Sequence, residues 1–503
     1  MKNPSFYRKL TLSLLTIIAI FKLVYFHFSN HSIFTEEAQY WLWSKHLDWN
    51  YYSKPLMIAV YNFMSTSVFG DTEFAVKFNA VLFSFLTAWV VFEFALSIYR
   101  KGKIAFWASM MLSVMPFFHL GSIFHTTDSS LYFFWILALF WIWKAWQSDK
   151  LSWWILAGFA TVFGILSKNI MVLILPILAL YILLTDRKRF FTKGPWIYVL
   201  VSFLSLIPIV IWNFQNDFVT FKHVGTLGGV EGEKSSFNIT QSFKYIGEYV
   251  GGQLGFLSPF FIPILWVGLK KIEFKKDPRA LYLVLPTLAV WLLFLVMSIF
   301  KNVNVNWPAF GMLTLPIIMA HYLDSASQTW RKYALGSSIL TGFVLMILFF
   351  PTPFDAVGFK KILKPSKDPM NRLAGYRQMG ERIDFLKDSL NLEKSFVFSD
   401  SYHISSEMAF YSQGNPQTFN INLGRRKNQF DLWPGISQFE KDGFAGIYIT
   451  RDLEVQDAVK LGFEHFILEE KFYTIYRKDT VKTYIIAVFQ DLNQIKEIET
   501  SEY

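Results

Sequence analysis

Residues 35–55 read TEEAQYWLWSKHLDWNYYSKP, and they lie between the first long apolar run of the chain and many later ones. A plain connector needs only polarity and turn residues. This stretch instead sets Glu36, Glu37, Lys45, Asp48 and Lys54 among six aromatic residues. Acids ringed by Trp and Tyr and followed by a lysine, at the edge of an apolar segment, suit a site that holds a charged headgroup and accepts a proton. The plainer alternative is an interfacial helix whose rings sit at headgroup level.

On both sides of this stretch apolar residues come in runs rather than in period. The chain of 503 residues is 53% hydrophobic and 19% aromatic, with a mean hydropathy of +0.31. Uninterrupted apolar runs of about eighteen residues read as membrane-spanning helices. Net charge is +10, but the basic residues gather in short connectors between apolar runs, so a nucleic-acid partner is excluded in favour of a membrane. The chain has no cysteine, which removes disulfides, thiol nucleophiles and Cys-ligated metals. The first run, 10–28, follows Lys2, Arg8 and Lys9 and lacks a small-residue cleavage site, so it reads as an uncleaved anchor.

Orientation follows from the loops. Crossings are expected near 10–28, 74–98, 104–124, 131–147, 152–167, 170–184, 196–212, 246–269, 281–299, 309–323 and 334–350. Even-numbered crossings end beside Arg100, Lys101 and Lys103, beside Lys150, beside Arg187–Arg189 and Lys193, beside Lys270, Lys271, Lys275, Lys276 and Arg279, and beside Arg331 and Lys332. The intervening loops are poorer in basic residues. With positive charge inside, this gives about eleven spans, a cytoplasmic N-terminus and a C-terminus outside. After Pro351 the long apolar runs stop. Short segments at 395–399, 446–450 and 483–489 read as buried strands, and 377–392 has helical period. The expected fold is mainly α, a polytopic membrane body over 1–351 with a small outer-face α/β domain over 352–503. The sequence has no clear internal repeat, which argues against transporters built from paired repeats.

The outer loops carry the ionisable and amide groups. They hold Glu36, Glu37 and Lys54, then His125 and Asp128, then Lys168, then Trp212, Asn213, Lys222 and His223, and finally Asn302, Asn304, Asn306 and Trp307. Such groups are costly in a bilayer and mark protein interiors or aqueous cavities. Acids, bases and amides at one membrane face suit a reaction on a lipid phosphate.

The stretch 36–49, with Tyr51-Tyr52-Ser53-Lys54-Pro55 after it, resembles the first outer loop of bacterial GT-C glycosyltransferases of the protein O-mannosyltransferase-like group, which includes the lipid A aminoarabinose transferases. Thr127-Asp128, Leu166-Ser167-Lys168, Trp212-Asn213, Asn306-Trp307-Pro308 and the stretch 424–433 are similar to that group too, so the matches run from 36 to 433. The resemblance implies a GT-C-like helical body and a polyprenyl-phosphate sugar donor. It further implies transfer to a lipid A-type, glycan or protein acceptor on the outer face of a bacterial inner membrane. It places an acidic base at Glu36, where relatives usually carry Asp, and the extra methylene lets Glu37 share the role. Relatives usually read Lys-Pro-Pro where this chain has Lys54-Pro55-Leu56.

Chemistry assigns the remaining candidates. Displacing a polyprenyl phosphate passes through an oxocarbenium-like transition state. A carboxylate takes the acceptor's proton, and cations stabilise the leaving phosphate. The catalytic candidates are therefore Glu36, Glu37 and Asp128. The substrate-binding candidates are Tyr52, Lys54, Lys168, His223, Asn306, Arg425 and Arg426, the arginines for bidentate geometry. One-step attack is expected to invert the anomeric centre. If the acceptor is itself a phosphate, Glu36 mainly positions it.

Each candidate has a structural alternative: a helix cap for Asp128, a snorkelling interface residue for Lys168, a solvated loop for His223 and a charged surface for 425–427. No cofactor is required by any pattern, and a divalent cation is compatible with the carboxylates without being demanded. Asn238-Ile239-Thr240 matches a glycosylation sequon, which coincidence also explains. The rival functional class is a lipid-linked sugar flippase or polysaccharide transporter, which should place its ionisable groups nearer mid-membrane. A scaffold for envelope assembly would explain the spans but not the acids.

Overall fold

A computed structural model of the chain describes residues 3–28, 32–228, 238–274 and 276–498. Lys2 and Lys275, counted above among the basic residues, lie outside them. The described residues fall into two compact units. One is drawn from Met1–Tyr25, Lys77–Ile211 and Glu233–Leu348, the other from Phe26–Val76, Trp212–Gly232 and Phe349–Tyr503.

The first unit is helical. Every apolar run read above coincides with helix. Pro4–Phe28, Glu73–Tyr99, Thr127–Ser148, Lys193–Gln215, Pro278–Ser298 and Gln328–Phe349 are long and apolar enough to span hydrocarbon, and Ile239–Leu257 with Pro259–Lys270 adds another if that pair, bent by 76°, is one crossing. The others are shorter or broken: Gly102–Ser113 stops just before Pro116, and Leu315–Ser325 is entered through a 3-10 turn at Ala309–Thr314. Among the described residues, length and composition alone support six crossings, seven with the bent pair. The count of about eleven rests on the shorter segments as well.

Apolar side chains on these helices face outward as well as inward. Phe21 is 64% exposed, Ile339 64% and Leu200 69%. Water would not tolerate so much apolar surface, whereas hydrocarbon does. The chain is a multi-pass membrane protein. Between helices, small residues allow close approach. A Cβ on Gly194 would lie 2.2 Å from the indole nitrogen of Trp154, so only glycine fits there. Where the helical ladder is interrupted, hydroxyls serve the backbone. Beside Pro286, which sits inside the helix Pro278–Ser298, Thr314 donates to the Leu283 carbonyl at 2.6 Å and Thr287 to that of Gly311 at 2.5 Å.

The second unit holds a five-stranded sheet in the order β2-β1-β3-β5-β4. Its strands are β1 (Ser395–Ser399), β2 (Thr418–Asn420), β3 (Ala445–Thr450), β4 (Phe463–Tyr476) and β5 (Asp479–Leu492). β2, β1 and β3 run parallel, while β5 and β4 are antiparallel additions. Side chains alternate between faces with period two. Val397, Ile447, Ile449, Ile486 and Val488 pack against Tyr376, Met379, Ile383 and Leu386 of the helix Tyr376–Ser389. Phe396, Phe398, Tyr448, Ile485 and Phe489 fill the opposite face. β4 is an edge strand, exposed along most of its length, and its Glu464, Glu469, Glu470 and Lys471 discourage pairing with another chain. β4 and β5 meet in a two-residue turn with Arg477 at φ 48° and Lys478 at φ 65°, the geometry of a type I′ hairpin. Arg477 is anchored there. Its guanidinium bonds Asp368 at 2.8 Å and grips Asp355 with two nitrogens.

Candidate active site

In the helical unit, three residues singled out from the sequence converge. Lys168 ends the helix Leu151–Ser167, and its Nζ donates to Asp128 Oδ1 at 2.6 Å. The Nδ2 of Asn306 donates to Asp128 Oδ2 at 2.9 Å. Asp128 itself is 6% exposed. These partners lie 40 and 178 positions away in the chain. Asp128 does not cap its helix, because Thr126 does so by accepting from the Asp128 backbone N–H at 3.3 Å. The carboxylate is thus left to its two side-chain donors. A partly buried ion pair with an added amide bond has charge-assisted strength and fixed direction. In the preceding loop, burial and then Lys77 push the His125 imidazole down to about 3, so it is neutral.

In the sheet-bearing unit, the stretch that begins at Thr35 forms the helix Thr35–Lys45. Its two glutamates part company. Glu37 is fully buried, and its Oε2 accepts from the Phe34 backbone N–H at 2.7 Å, closing the helix N-terminus. Glu36 is half-buried beside Tyr402. Burial first, then Glu36, push the Tyr402 phenol up to about 12, and Arg425 acts in the opposite direction. Glu36, Tyr402 and Arg425 therefore share one electrostatic neighbourhood.

The aromatics of the stretch are structural. Tyr40, Trp41, Trp43, Tyr51 and Tyr52 are buried, so they are no headgroup-level belt; only Trp49 stands out, 58% exposed. Trp43 and Tyr51 stack with centroids 4.5 Å apart, and the Tyr51 hydroxyl donates to the carbonyls of Trp43 and His46. The loop is then tied to the segment after Trp212. The Trp212 indole donates to Asp48 Oδ2 at 2.7 Å, and Asn50 donates to Thr220 Oγ1 at 2.9 Å. Asn213 Oδ1 accepts from the Thr220 backbone at 3.2 Å. Trp212 and Asn213 accordingly serve to shape the loop.

The other candidates fall as follows. The Tyr52 backbone N–H donates to Gln429 Oε1 at 2.7 Å, and its ring meets that of His223 at 4.8 Å. Lys54 lies in a tight turn where its carbonyl accepts from Tyr51 at 3.1 Å. Arg425 forms a two-pronged bond to Asp431, at 2.8 and 3.1 Å, and donates to the Ile421 carbonyl. Arg426 is exposed, and its carbonyl accepts from Arg425. Tyr402, Gln429 and Asp48 were not singled out as site residues from the sequence. Gln429 stood within the stretch 424–433 and Asp48 within the first loop, whereas nothing in the chain marks Tyr402. Among the described residues one group, Glu464, His465 and Asp491, has three ligand atoms within 4.8 Å of one another. It lies on the β4–β5 pair, not with these residues.

The chain matches the family described as dolichyl-phosphate-mannose-protein mannosyltransferase over residues 53–212. It is 26% identical over 355 residues to lipid A galacturonosyltransferase RgtD of Rhizobium johnstonii, covering 70% of this chain and 72% of that one. It is 24% identical over 298 residues to undecaprenyl phosphate-alpha-4-amino-4-deoxy-L-arabinose arabinosyl transferase 1 of Proteus mirabilis, covering 55% of this chain and 50% of that one. The crystal structure of ArnT from Cupriavidus metallidurans bound to undecaprenyl phosphate superposes with a TM-score of 0.67 at 14% identity, over 94% of this chain and 97% of that one. The resemblance read from the sequence holds. The chain is similar in sequence to this group of GT-C glycosyltransferases and shares its fold. The Thr127-Asp128 and Ser167-Lys168 signatures lie inside the matched family region, and the fold turns them into an ion pair.

Proposed function

We propose that this chain is a membrane glycosyltransferase that moves one sugar from a polyprenyl-phosphate donor to a lipid A-type, glycan or protein acceptor. The reaction takes place on the outer face of a bacterial inner membrane, with the N-terminus cytoplasmic and the sheet outside. The observation that carries this reading is the convergence of Asp128, Lys168 and Asn306, since a largely desolvated ion pair at loop–helix junctions is costly unless it is used. Of the named relatives, one is a lipid A galacturonosyltransferase and the other an undecaprenyl phosphate-alpha-4-amino-4-deoxy-L-arabinose arabinosyl transferase, which supports this reading.

In this reading Glu36 is the general base, since it is the half-buried carboxylate of its pair, while Glu37 holds the helix that presents it. Lys168 faces the departing phosphate, and Asp128 with Asn306 fixes its direction. Lys54 and His223, the latter against the Tyr52 ring, are substrate-binding residues of the sheet-bearing unit in this reading. Arg425, forked onto Asp431, orders the segment 424–433 and places positive charge near Tyr402. Arg426 is an exposed cation for an anionic acceptor. One-step displacement inverts the anomeric centre, and a product with retained configuration would refute it.

Transfer from radiolabelled polyprenyl-phosphate sugars in membranes tests the whole reading. Wild type should label an acceptor, and Glu36→Gln at equal expression should lose most of that label. If Glu37→Gln alone is dead, the base is Glu37. Label that crosses the bilayer without joining an acceptor would replace the enzyme with a flippase.

A further inference from the structure

Where the ends of three helices of the helical unit meet lies a cavity of about 290 Å³. The helices are Gly102–Ser113, Leu315–Ser325 and Gln328–Phe349. Its wall has two chemistries. Ile104, Trp107, Ala320, Leu323 and Leu335 are apolar, and Lys103, Arg331 and Lys332 supply three cations. The single lining carboxylate, Asp324, is bound to Lys101 at 2.7 Å. Arg331 is held by carbonyls, donating to Leu323 at 3.0 Å and Asp324 at 2.6 Å. Carbonyls fix its direction without cancelling its charge. The cavity therefore carries net positive charge beside an apolar floor.

That pairing calls for a ligand with both an anion and hydrocarbon. The volume suits a glycerophosphate headgroup and the first methylenes rather than a whole lipid. The apolar surface continues past the cavity along one helix face, where Leu335 is 48% and Ile339 64% exposed. These two lie four residues apart, one turn of helix along the same face. We propose that this cavity binds an anionic diacyl phospholipid, its phosphate between Lys103 and Lys332 and its chains along Trp107, Leu335 and Ile339. Clusters of Lys and Arg between membrane helices recognise anionic headgroups in this way. Nothing in the proposed sugar transfer uses these residues, so the lipid is a structural or regulatory ligand. It is separate from the donor.

Native mass spectrometry of the full chain in detergent tests this, with dioleoyl phosphatidylglycerol, dioleoyl phosphatidylcholine and undecaprenyl phosphate as separate arms. Phosphatidylglycerol should be retained over phosphatidylcholine by roughly tenfold, and Lys103→Ala with Lys332→Ala should abolish the preference. Lys103→Arg with Lys332→Arg should keep it. If the alanine pair does not fold, Lys103→Gln with Lys332→Gln keeps the bulk and should show the same loss. Equal retention of the two diacyl lipids, or a preference that survives loss of both lysines, would overturn the proposal. So would undecaprenyl phosphate held more tightly than phosphatidylglycerol with the same lysine dependence, since the cavity would then belong to the carrier lipid.

Discussion

Asp128 in the helical unit and Glu37 in the sheet-bearing unit are both buried carboxylates, and they are satisfied by opposite means. Glu37 turns back three residues to a backbone N–H at the start of its own helix. Asp128 draws on Lys168 and Asn306 from distant parts of the chain. A local cap is available wherever a helix begins, and its strength is modest. A cross-chain ion pair exists only when three elements are packed correctly, and breaking one side leaves a charge in a poor solvent. The contrast separates a carboxylate that builds a helix from one that aims a lysine. Asp368, deep in the sheet-bearing unit, combines the two, since its Oδ1 accepts from the Met370 backbone N–H at 2.9 Å while its Oδ2 takes Arg477, 109 positions away.

The contrast is broken most directly by Lys168→Ala. It should lower sugar transfer by roughly a hundredfold, as loss of a phosphate-facing cation does, and destabilise the fold by about 3 kcal/mol through the unpaired Asp128. Adding Asp128→Ala should recover melting temperature but not activity. If the double variant recovers both, the pair is structural only.

Arg477→Ala should cost about 3 kcal/mol in thermal melts without touching the reaction, because Asp355 and Asp368 lose their shared partner. The same variant carries a pH signature. Arg477 holds the Asp355 carboxyl below its ordinary value of 3.8. A lowered folded value means stability present above the unfolded value and lost as pH falls through the folded one. Wild type should therefore shed stability at pH below about 4, and Arg477→Ala should flatten that slope. An unchanged acid slope would assign the loss to other carboxylates.

Glu37→Ala sharpens the local side of the comparison, with an expected cost of about 1 kcal/mol, the scale of a lost helix cap. Transfer should fall less than with Glu36→Gln. The smallest effect belongs to Lys478→Gly. The lysine is exposed at φ 65°, and glycine should raise stability by about 0.5 kcal/mol, left-handed strain removed being partly offset by glycine's greater freedom when unfolded. A drop in melting temperature would show that the lysine side chain contributes there.

Much of the architecture was legible because lipid imposes a long, uniform apolar signal. The apolar runs marked helices, and the strands over 395–399, 446–450 and 483–489 lie within β1, β3 and β5. What the chain concealed follows from mixed signals. β4 is an exposed edge in which apolar and charged residues come in short blocks, Phe466–Leu468 then Glu469–Lys471, without alternation, and β2 is three residues long, too short for any pattern. Breaks such as the 76° bend at Ser258 and Pro259 are invisible to hydropathy, which averages across them. At the candidate site, motif stretches pointed to Asp128, Lys168 and Asn306 one at a time. Nothing in the chain said that they meet.

By itself the sequence determined the class of solvent each segment needs. Apolar runs need hydrocarbon, basic connectors need water, and the chain after Pro351 lacks the long apolar runs that hydrocarbon demands. Those are properties of composition and period, which one strand of residues carries without knowing its neighbours. The tertiary structure alone decided which of two adjacent glutamates caps a helix and which charge neutralises Asp128. It also decided that the aromatics of 35–55, Trp49 apart, are core rather than interface. Each of these depends on distances of a few ångströms between residues up to 178 positions apart, and Coulomb and hydrogen-bond energies are set by such distances, not by order in the chain.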